Sequence, residues 1–298
     1  MEYPNNCTLC PRECRADRTH TKGACGMSNV AVVARTAPHE WEEPCISGKS
    51  GSGTVFFSGC SLKCVFCQNH EISHGNIGCE VSDEKLAEIF LKLEEIGCHN
   101  INLVNPTHFV PNIINALELA KPHLKIPVVW NTGGYEKSET LKMLAGYVDI
   151  FLPDLKYVST DVSLKYSGAK NYFEYASDAL DTMFELVGYP QFDSSGMMKS
   201  GVLVRHLVLP SHVAESKKVI DHLAENYDTK KLWVSLMCQY FPTYRAFEFP
   251  EISRKLTTLE YQRVCQYARD RGITNGFLQD KASAAGEYVP QFSEDLKL

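Results

Sequence analysis

The sequence predicts an α/β fold built on one sheet of parallel strands. Six short apolar runs recur along the chain, and most are followed by a segment with helical periodicity. Parallel neighbours need right-handed crossovers, which such helices supply. The length, 298 residues with 44% hydrophobic content, suits one large core, and single α/β barrels commonly fill it. Six units can curl into a barrel but are too few to close the usual eight-stranded one.

The elements read as follows. Asn29 to Arg35 is a lead-in strand, and Thr36 to Gly53 is polar and glycine-rich. The glycines do not have phosphate-loop spacing, and a strand follows them rather than a helix, so that reading is discarded. Thr54-Val-Phe-Phe is the first barrel strand, ending in Ser58-Gly59. Ser82 caps a helix with an apolar stripe of Leu86, Phe90, Leu93 and Ile96, which Gly97 ends. Strand and helix then alternate: Asn100–Asn105, Pro111–Ala120, Pro127–Asn131, Ser138–Ala145, Val148–Leu152. A long tyrosine-rich stretch, 159–200, holds a helix near Tyr175–Val187. Val202–Leu209, Glu215–Asn226, Leu232–Met237 and Leu259–Arg271 complete the pattern, with room for a short last strand at Gly276–Gln279. The expected organisation is a cysteine-rich extension with its lead-in strand (1–53), a barrel core (54–240), and a C-terminal helix and tail packed on it (241–298).

Composition excludes several classes. A net charge of −6 argues against a nucleic-acid partner, which calls for a basic face. No run of about 18 apolar residues occurs, so no membrane span is expected. Met-Glu-Tyr-Pro-Asn-Asn lacks a basic or apolar signal region. Twelve cysteines in such a chain read as metal ligands rather than disulfides, in a cytoplasmic protein working at low oxygen.

Two cysteine constellations stand out. Cys60-x3-Cys64-x2-Cys67 lies on a loop just past the first barrel strand, walled by Phe66. Three thiolates on a four-iron cube leave one iron open to bind and activate a ligand. Structural zinc would want four closed ligands, and a disulfide would leave one thiol over. The second set is Cys7-x2-Cys10-x3-Cys14-x10-Cys25, which suits a closed 4Fe–4S cluster or a zinc ion.

Strand ends of a barrel carry its chemistry. Here they offer Asn105-Pro-Thr107-His108, Asn131-Thr132-Gly-Gly, Asp154-Leu-Lys156, Arg205-His206 and Gln239-Tyr240. No catalytic side chain is assigned beyond the cluster loop. The tyrosines of 157–175 could line a substrate groove or simply pack.

The C-x3-C-x2-C motif with its aromatic resembles the signature of the radical S-adenosylmethionine (SAM) superfamily. That resemblance implies a partial (β/α)6 TIM-like barrel and SAM chelated to the open iron. It also implies reductive cleavage to a 5′-deoxyadenosyl radical that abstracts hydrogen from a substrate. Residues 54–239 are similar to glycyl-radical enzyme activases of the pyruvate formate-lyase activating type, and to a related branch bearing an N-terminal cysteine cluster. The similarity rests on Phe57-Ser-Gly-Cys60, Cys67-Gln-Asn69, Asn131-Thr132, Leu152-Pro-Asp154-Leu-Lys156 and Val204-Arg205-His-Leu-Val-Leu-Pro210. It implies a monovalent cation beside the SAM carboxylate, at Asn131, Thr132, Asp154 and the Leu152 carbonyl, with Asn131 standing where the family has Asp. Lys156 either balances the SAM carboxylate or pairs with Asp154, and Arg205 joins the cofactor-binding set. The family's Gly-Gly-Glu is absent, leaving Asn105, Thr107 or His108 to receive the SAM amino group. The expected substrate is a glycine of a glycyl-radical enzyme, with a small metabolite or peptide as the alternative. A flavodoxin or ferredoxin would donate the electron. A non-catalytic iron–sulfur or zinc protein is the third reading.

Overall fold

The computed structural model describes residues 1, 3–75, 77–279 and 292. In chain order the elements are β1 (Ala31–His39), α1 (Pro44–Ser47), β2 (Ser52–Phe57), α2 (His70–Ser73), β3 (Cys79–Val81), α3 (Asp83–Glu95), β4 (Ile101–Val104), α4 (Val110–Ala120), β5 (Val128–Thr132), α5 (Ser138–Lys142), β6 (Ile150–Pro153), α6 (Thr160–Ser167), α7 (Tyr172–Val187), β7 (Gln191–Phe192), β8 (Met198–Leu207), α8 (Val213–Asn226), β9 (Trp233–Met237), α9 (Thr258–Asp270) and β10 (Asn275–Leu278). No described helix is long and apolar enough to cross a membrane.

The strand order is β10-β9-β8-β6-β5-β4-β2-β1-β3. From β2 to β10 every pairing in that path is parallel. β1 and β3 add antiparallel strands on the β2 side. The result is an open, partial barrel whose parallel stretch has seven strands, the seventh being the short β10 at the expected place.

Local signals account for most boundaries. Ser82 Oγ accepts the Lys85 amide at 3.2 Å and starts α3, whose Leu86, Phe90 and Leu93 are fully buried. Thr257 and Glu260 form a reciprocal capping box at α9. Along β5, β6 and β8 alternate residues face opposite ways. Val129, Ile150, Leu152 and Leu203 point inward and pack on Cys45 and Ile46 of α1. Trp130, Phe151 and Val204 point outward beneath the helices. Asn100, just before β4, donates to the Ile46 carbonyl at 2.7 Å, so α1 plugs the N-terminal end of the barrel. The opposite end, where the strands finish, stays open.

Candidate active site

A cavity of about 260 Å³ lies at the C-terminal ends of the strands. Cys60, Cys64, Phe66 and Cys67 form one wall. Asn105, Asn131, Thr132, Asp154, Lys156 and Arg205 form the other. Turn geometry places the first wall: Gly59 has φ +82° and turns the chain out of β2. Asn105 faces it from β4 with φ +56°, a left-handed conformation that Asn tolerates. The Asn105 amide donates to the Gly59 carbonyl, and its oxygen lies 3.5 Å from Cys60 Sγ.

The tyrosines act from behind. Tyr157, Tyr166 and Tyr172 are buried in the core and none lines the cavity. Ser167 Oγ sits 3.0 Å from both Cys64 Sγ and the Tyr157 hydroxyl. Tyr172 donates to the Asp154 carbonyl at 2.7 Å and takes the Lys156 amide at 3.0 Å. The aromatic stretch therefore braces both walls.

The opposite wall is one charged network. Arg205 Nε donates to Asp154 Oδ1 at 2.9 Å, Nη2 to Asn131 Oδ1 at 2.6 Å and Nη1 to Glu42 Oε2 at 3.2 Å. Lys156 donates to the other Asp154 oxygen at 2.5 Å. Burial pushes Asp154 upward, but Arg205 and Lys156 outweigh it and hold the carboxyl below its usual range. Burial raises Glu42 and takes Glu43 up to about 7, against the pull of Arg205. These two acids were not singled out from sequence; the His39-Glu-Trp-Glu-Glu-Pro44 run read as a polar lead-in.

Thr107 and His108 lie elsewhere. Both are buried beneath the wall rather than lining the cavity. Thr107 and Thr132 hydroxyls donate to one oxygen of Glu136. His108 Nε2 lies 2.6 Å from the Ser58 carbonyl, and burial holds its ring near 3, hence neutral. Glu136 is fully buried with its second oxygen unpartnered, and burial lifts it to about 7 despite the two hydroxyls. It too escaped the sequence reading, coming just after the Gly133-Gly134 turn. Of the three candidates for the SAM amino group, Asn105 is the one at the cavity.

The donor set fits an iron–sulfur cluster. Three thiols from one short loop surround open space, and soft sulfur donors suit iron. Burial raises all three, Cys60 to about 12 and Cys67 to about 11, with Lys156 opposing the rise at Cys64. They hold protons until metal displaces them. Cys7, Cys10, Cys14 and Cys25 also come together in a separate place. A Cβ built on Gly23 would stand 3.4 Å from Cys25 Sγ and 3.5 Å from Cys14 Sγ, and burial raises Cys10 to about 12 with Cys25 and Cys7 adding to it. Among the described residues no group of three His, Cys, Asp or Glu side chains is arranged for a single metal ion. A multi-iron cube would hold its thiolates further apart than one ion does.

Comparison with known proteins agrees. Residues 54–198 match the family model "Radical SAM superfamily". An uncharacterized protein of Methanocaldococcus jannaschii is 31% identical over 273 residues, covering 88% of this chain and 74% of that one. Among solved structures, Streptococcus suis SuiB bound to S-adenosylmethionine aligns with a TM-score of 0.50 at 15% identity. That alignment covers 74% of this chain but only 48% of SuiB, so the chain spans about half of SuiB's length. Methylornithine synthase (PylB) aligns with a TM-score of 0.50 at 15% identity, over 76% of this chain and 70% of that one. At such identity the structures speak for a shared fold. With three cysteines at the family's spacing on the lip of an open parallel barrel, and a family match that spans its strands β2, β4, β5 and β6, the chain belongs to the radical SAM superfamily.

Proposed function

We propose that this enzyme binds SAM between its two cavity walls and abstracts hydrogen from a glycine of a glycyl-radical enzyme. The observation that carries the SAM assignment is that the Cys60-Cys64-Cys67 loop and the Asn131-Asp154-Lys156-Arg205 network line one cavity. When bound, a 4Fe–4S cluster on the three thiolates supplies the electron that cleaves SAM to methionine and a 5′-deoxyadenosyl radical. Lys156 and Arg205 present the positive charge that a SAM carboxylate needs. The Asn105 side-chain oxygen is positioned to accept from the SAM amino group. Phe66 closes the loop side through ring contacts with Tyr240 and Tyr166 at 5.8 and 6.5 Å. A monovalent cation near Asn131, Thr132 and Asp154 would have to share the Asn131 and Asp154 oxygens with Arg205. Cys7, Cys10, Cys14 and Cys25 form a second metal centre, iron–sulfur or zinc.

The glycine substrate rests on the motif similarity; the sheet is not closed into a full barrel, and a peptide loop would enter on its unclosed side. The second reading is a small metabolite or a short peptide that meets SAM at the same strand ends. The test is anaerobic reconstitution with iron and sulfide, then assay of 5′-deoxyadenosine with reduced flavodoxin or dithionite. Cys64→Ser should abolish cleavage; retention near wild-type rates would end the SAM reading. Mixing the enzyme with the host's glycyl-radical enzyme should give the doublet paramagnetic signal of a glycyl radical. Silence there while SAM is still cleaved moves the assignment to the small-molecule reading.

A further inference from the structure

We infer that Cys7, Cys10, Cys14 and Cys25 hold an iron–sulfur cluster that relays electrons to the Cys60-Cys64-Cys67 site, with Arg18 as its buried counter-charge. The inference rests on the SAM-cleaving function proposed above.

Three observations carry it. The first is proximity through a bond. The Cys60 amide donates to the Cys25 carbonyl at 3.3 Å, so a ligand of one thiol set is hydrogen-bonded to a ligand of the other. Gly59 makes this approach feasible: a Cβ there would meet the Cys25 carbonyl at 2.7 Å. Arg12 strengthens the docking, its Nε donating to the Ser61 carbonyl at 2.7 Å and Nη1 to the Gly168 carbonyl at 2.6 Å.

The second is an uncompensated cation. Arg18 is 1% exposed. Its guanidinium donates to the carbonyls of His108 and Ser28 and lies over the Tyr3 ring at 4.6 Å. Among the described residues no carboxylate pairs with it, and its Nε has no hydrogen-bond partner. An unpaired buried charge is costly, so a neighbouring anion is expected. The thiols are that neighbour. A methyl on Gly23 would stand 3.4 Å from Cys25 Sγ, 3.5 Å from Cys14 Sγ and 3.6 Å from Arg18 Cδ. Four thiolates on a four-iron core leave a net negative centre for Arg18 to balance.

The third is access. Cys7, Cys10 and Cys25 are buried whereas Cys14 is exposed, so the set reaches from the surface inward to Cys60. One electron enters from a low-potential donor of the flavodoxin or ferredoxin class, which is oxidised. It leaves along Cys25 and Cys60, and the inner thiol set's iron is reduced. No proton moves and no covalent bond changes.

The test uses the full chain reconstituted anaerobically. Wild-type protein should carry about eight irons and the Cys10→Ser/Cys14→Ser variant about four. Fully reduced wild-type protein should show two paramagnetic signals broadened by mutual coupling. The variant should show one narrow signal. The ratio of flavodoxin-driven to dithionite-driven 5′-deoxyadenosine formation should fall at least about tenfold in the variant. Zinc in place of iron at the N-terminal set, uncoupled signals in the wild type, or an unchanged ratio would each overturn the relay. The wild-type coupling needs no variant, so it decides the matter even where the double substitution fails to fold. Failure of dithionite to drive SAM cleavage in a protein with coupled clusters would instead count against the proposed function alone.

Discussion

Arg205 and Asp154 are joined by a hydrogen-bonded ion pair, Nε to Oδ1 at 2.9 Å, in the place where motif similarity leads one to expect a monovalent cation. The same guanidinium takes the Asn131 oxygen at 2.6 Å. Two of the three expected side-chain cation ligands are thereby engaged by a cation that the chain itself carries. Replacing the family's Asp by Asn at 131 removes one negative charge, which fits a site already neutralised. SAM cleavage should therefore change by less than about twofold when potassium is exchanged for sodium or for a bulky organic cation. A strict potassium requirement would show that Arg205 withdraws when SAM binds.

The same network sets a stability prediction. Arg205, Glu42 and Asp154 have side chains only 13%, 11% and 14% exposed. Arg205→Met would leave two buried acids without their main partner. Breaking such a pair costs about 3–5 kcal/mol. Arg205→Lys retains the charge but not the fork that reaches three acceptors, so an intermediate loss is expected. Chemical denaturation of the apoprotein at neutral pH measures both, and equal stability of Arg205→Met and wild type would refute the network's importance.

Glu136 gives a pH dependence whose sign can be worked out. Its folded-state value is raised from 4.5 to about 7 by burial. Below about 4.5 both states are protonated and it adds no penalty. Between 4.5 and about 7 the unfolded chain loses its proton first, so stability falls as pH rises, by a few kcal/mol at most. Glu136→Gln keeps an acceptor for Thr107 and Thr132 and puts a neutral amide nitrogen in place of the unpartnered oxygen. It should be more stable than wild type at pH 8, with the difference vanishing near pH 4.5. A difference constant across that range would rule out ionisation as its source.

Much of this was legible in the chain because local patterning and local function coincide. The strands of the barrel, the α3 cap at Ser82 and the cluster loop announce themselves within a few residues. What was not legible depends on long-range register. Glu42 and Arg205 are 163 residues apart, and only the curl of the sheet brings them together. Thr132 precedes Glu136 by four residues, yet nothing local says that Thr107 points at the same carboxyl. The helix α6 was missed because its signals are weak: eight residues, ended by Gly168 in a left-handed turn. Thr107 and His108 looked available because they follow a strand end. Their segment instead winds at once into a turn leading to α4, which carries both side chains inward.

The docking of the cysteine-rich segment turns on Gly59. This residue sits at φ +82°, and a Cβ there would come 2.5 Å from Met27 Cγ and 2.7 Å from the Cys25 carbonyl. The methionine side chain could yield, but the carbonyl belongs to the backbone and cannot yield without moving the segment. The left-handed conformation adds about 1 kcal/mol for a residue with a Cβ. Gly59→Ala should therefore lift Cys25–Met27 off the cluster loop and break the hydrogen bond from the Cys60 amide to the Cys25 carbonyl. The pairings of β2 with β1 and β4 end at Phe56 and Phe57, so the sheet should persist. Hydrogen exchange should rise in residues 7–27 and at Cys60 while the strand amides stay protected and the far-ultraviolet dichroism is unchanged. Unaltered protection of the N-terminal segment in Gly59→Ala would mean that its docking does not depend on this close approach.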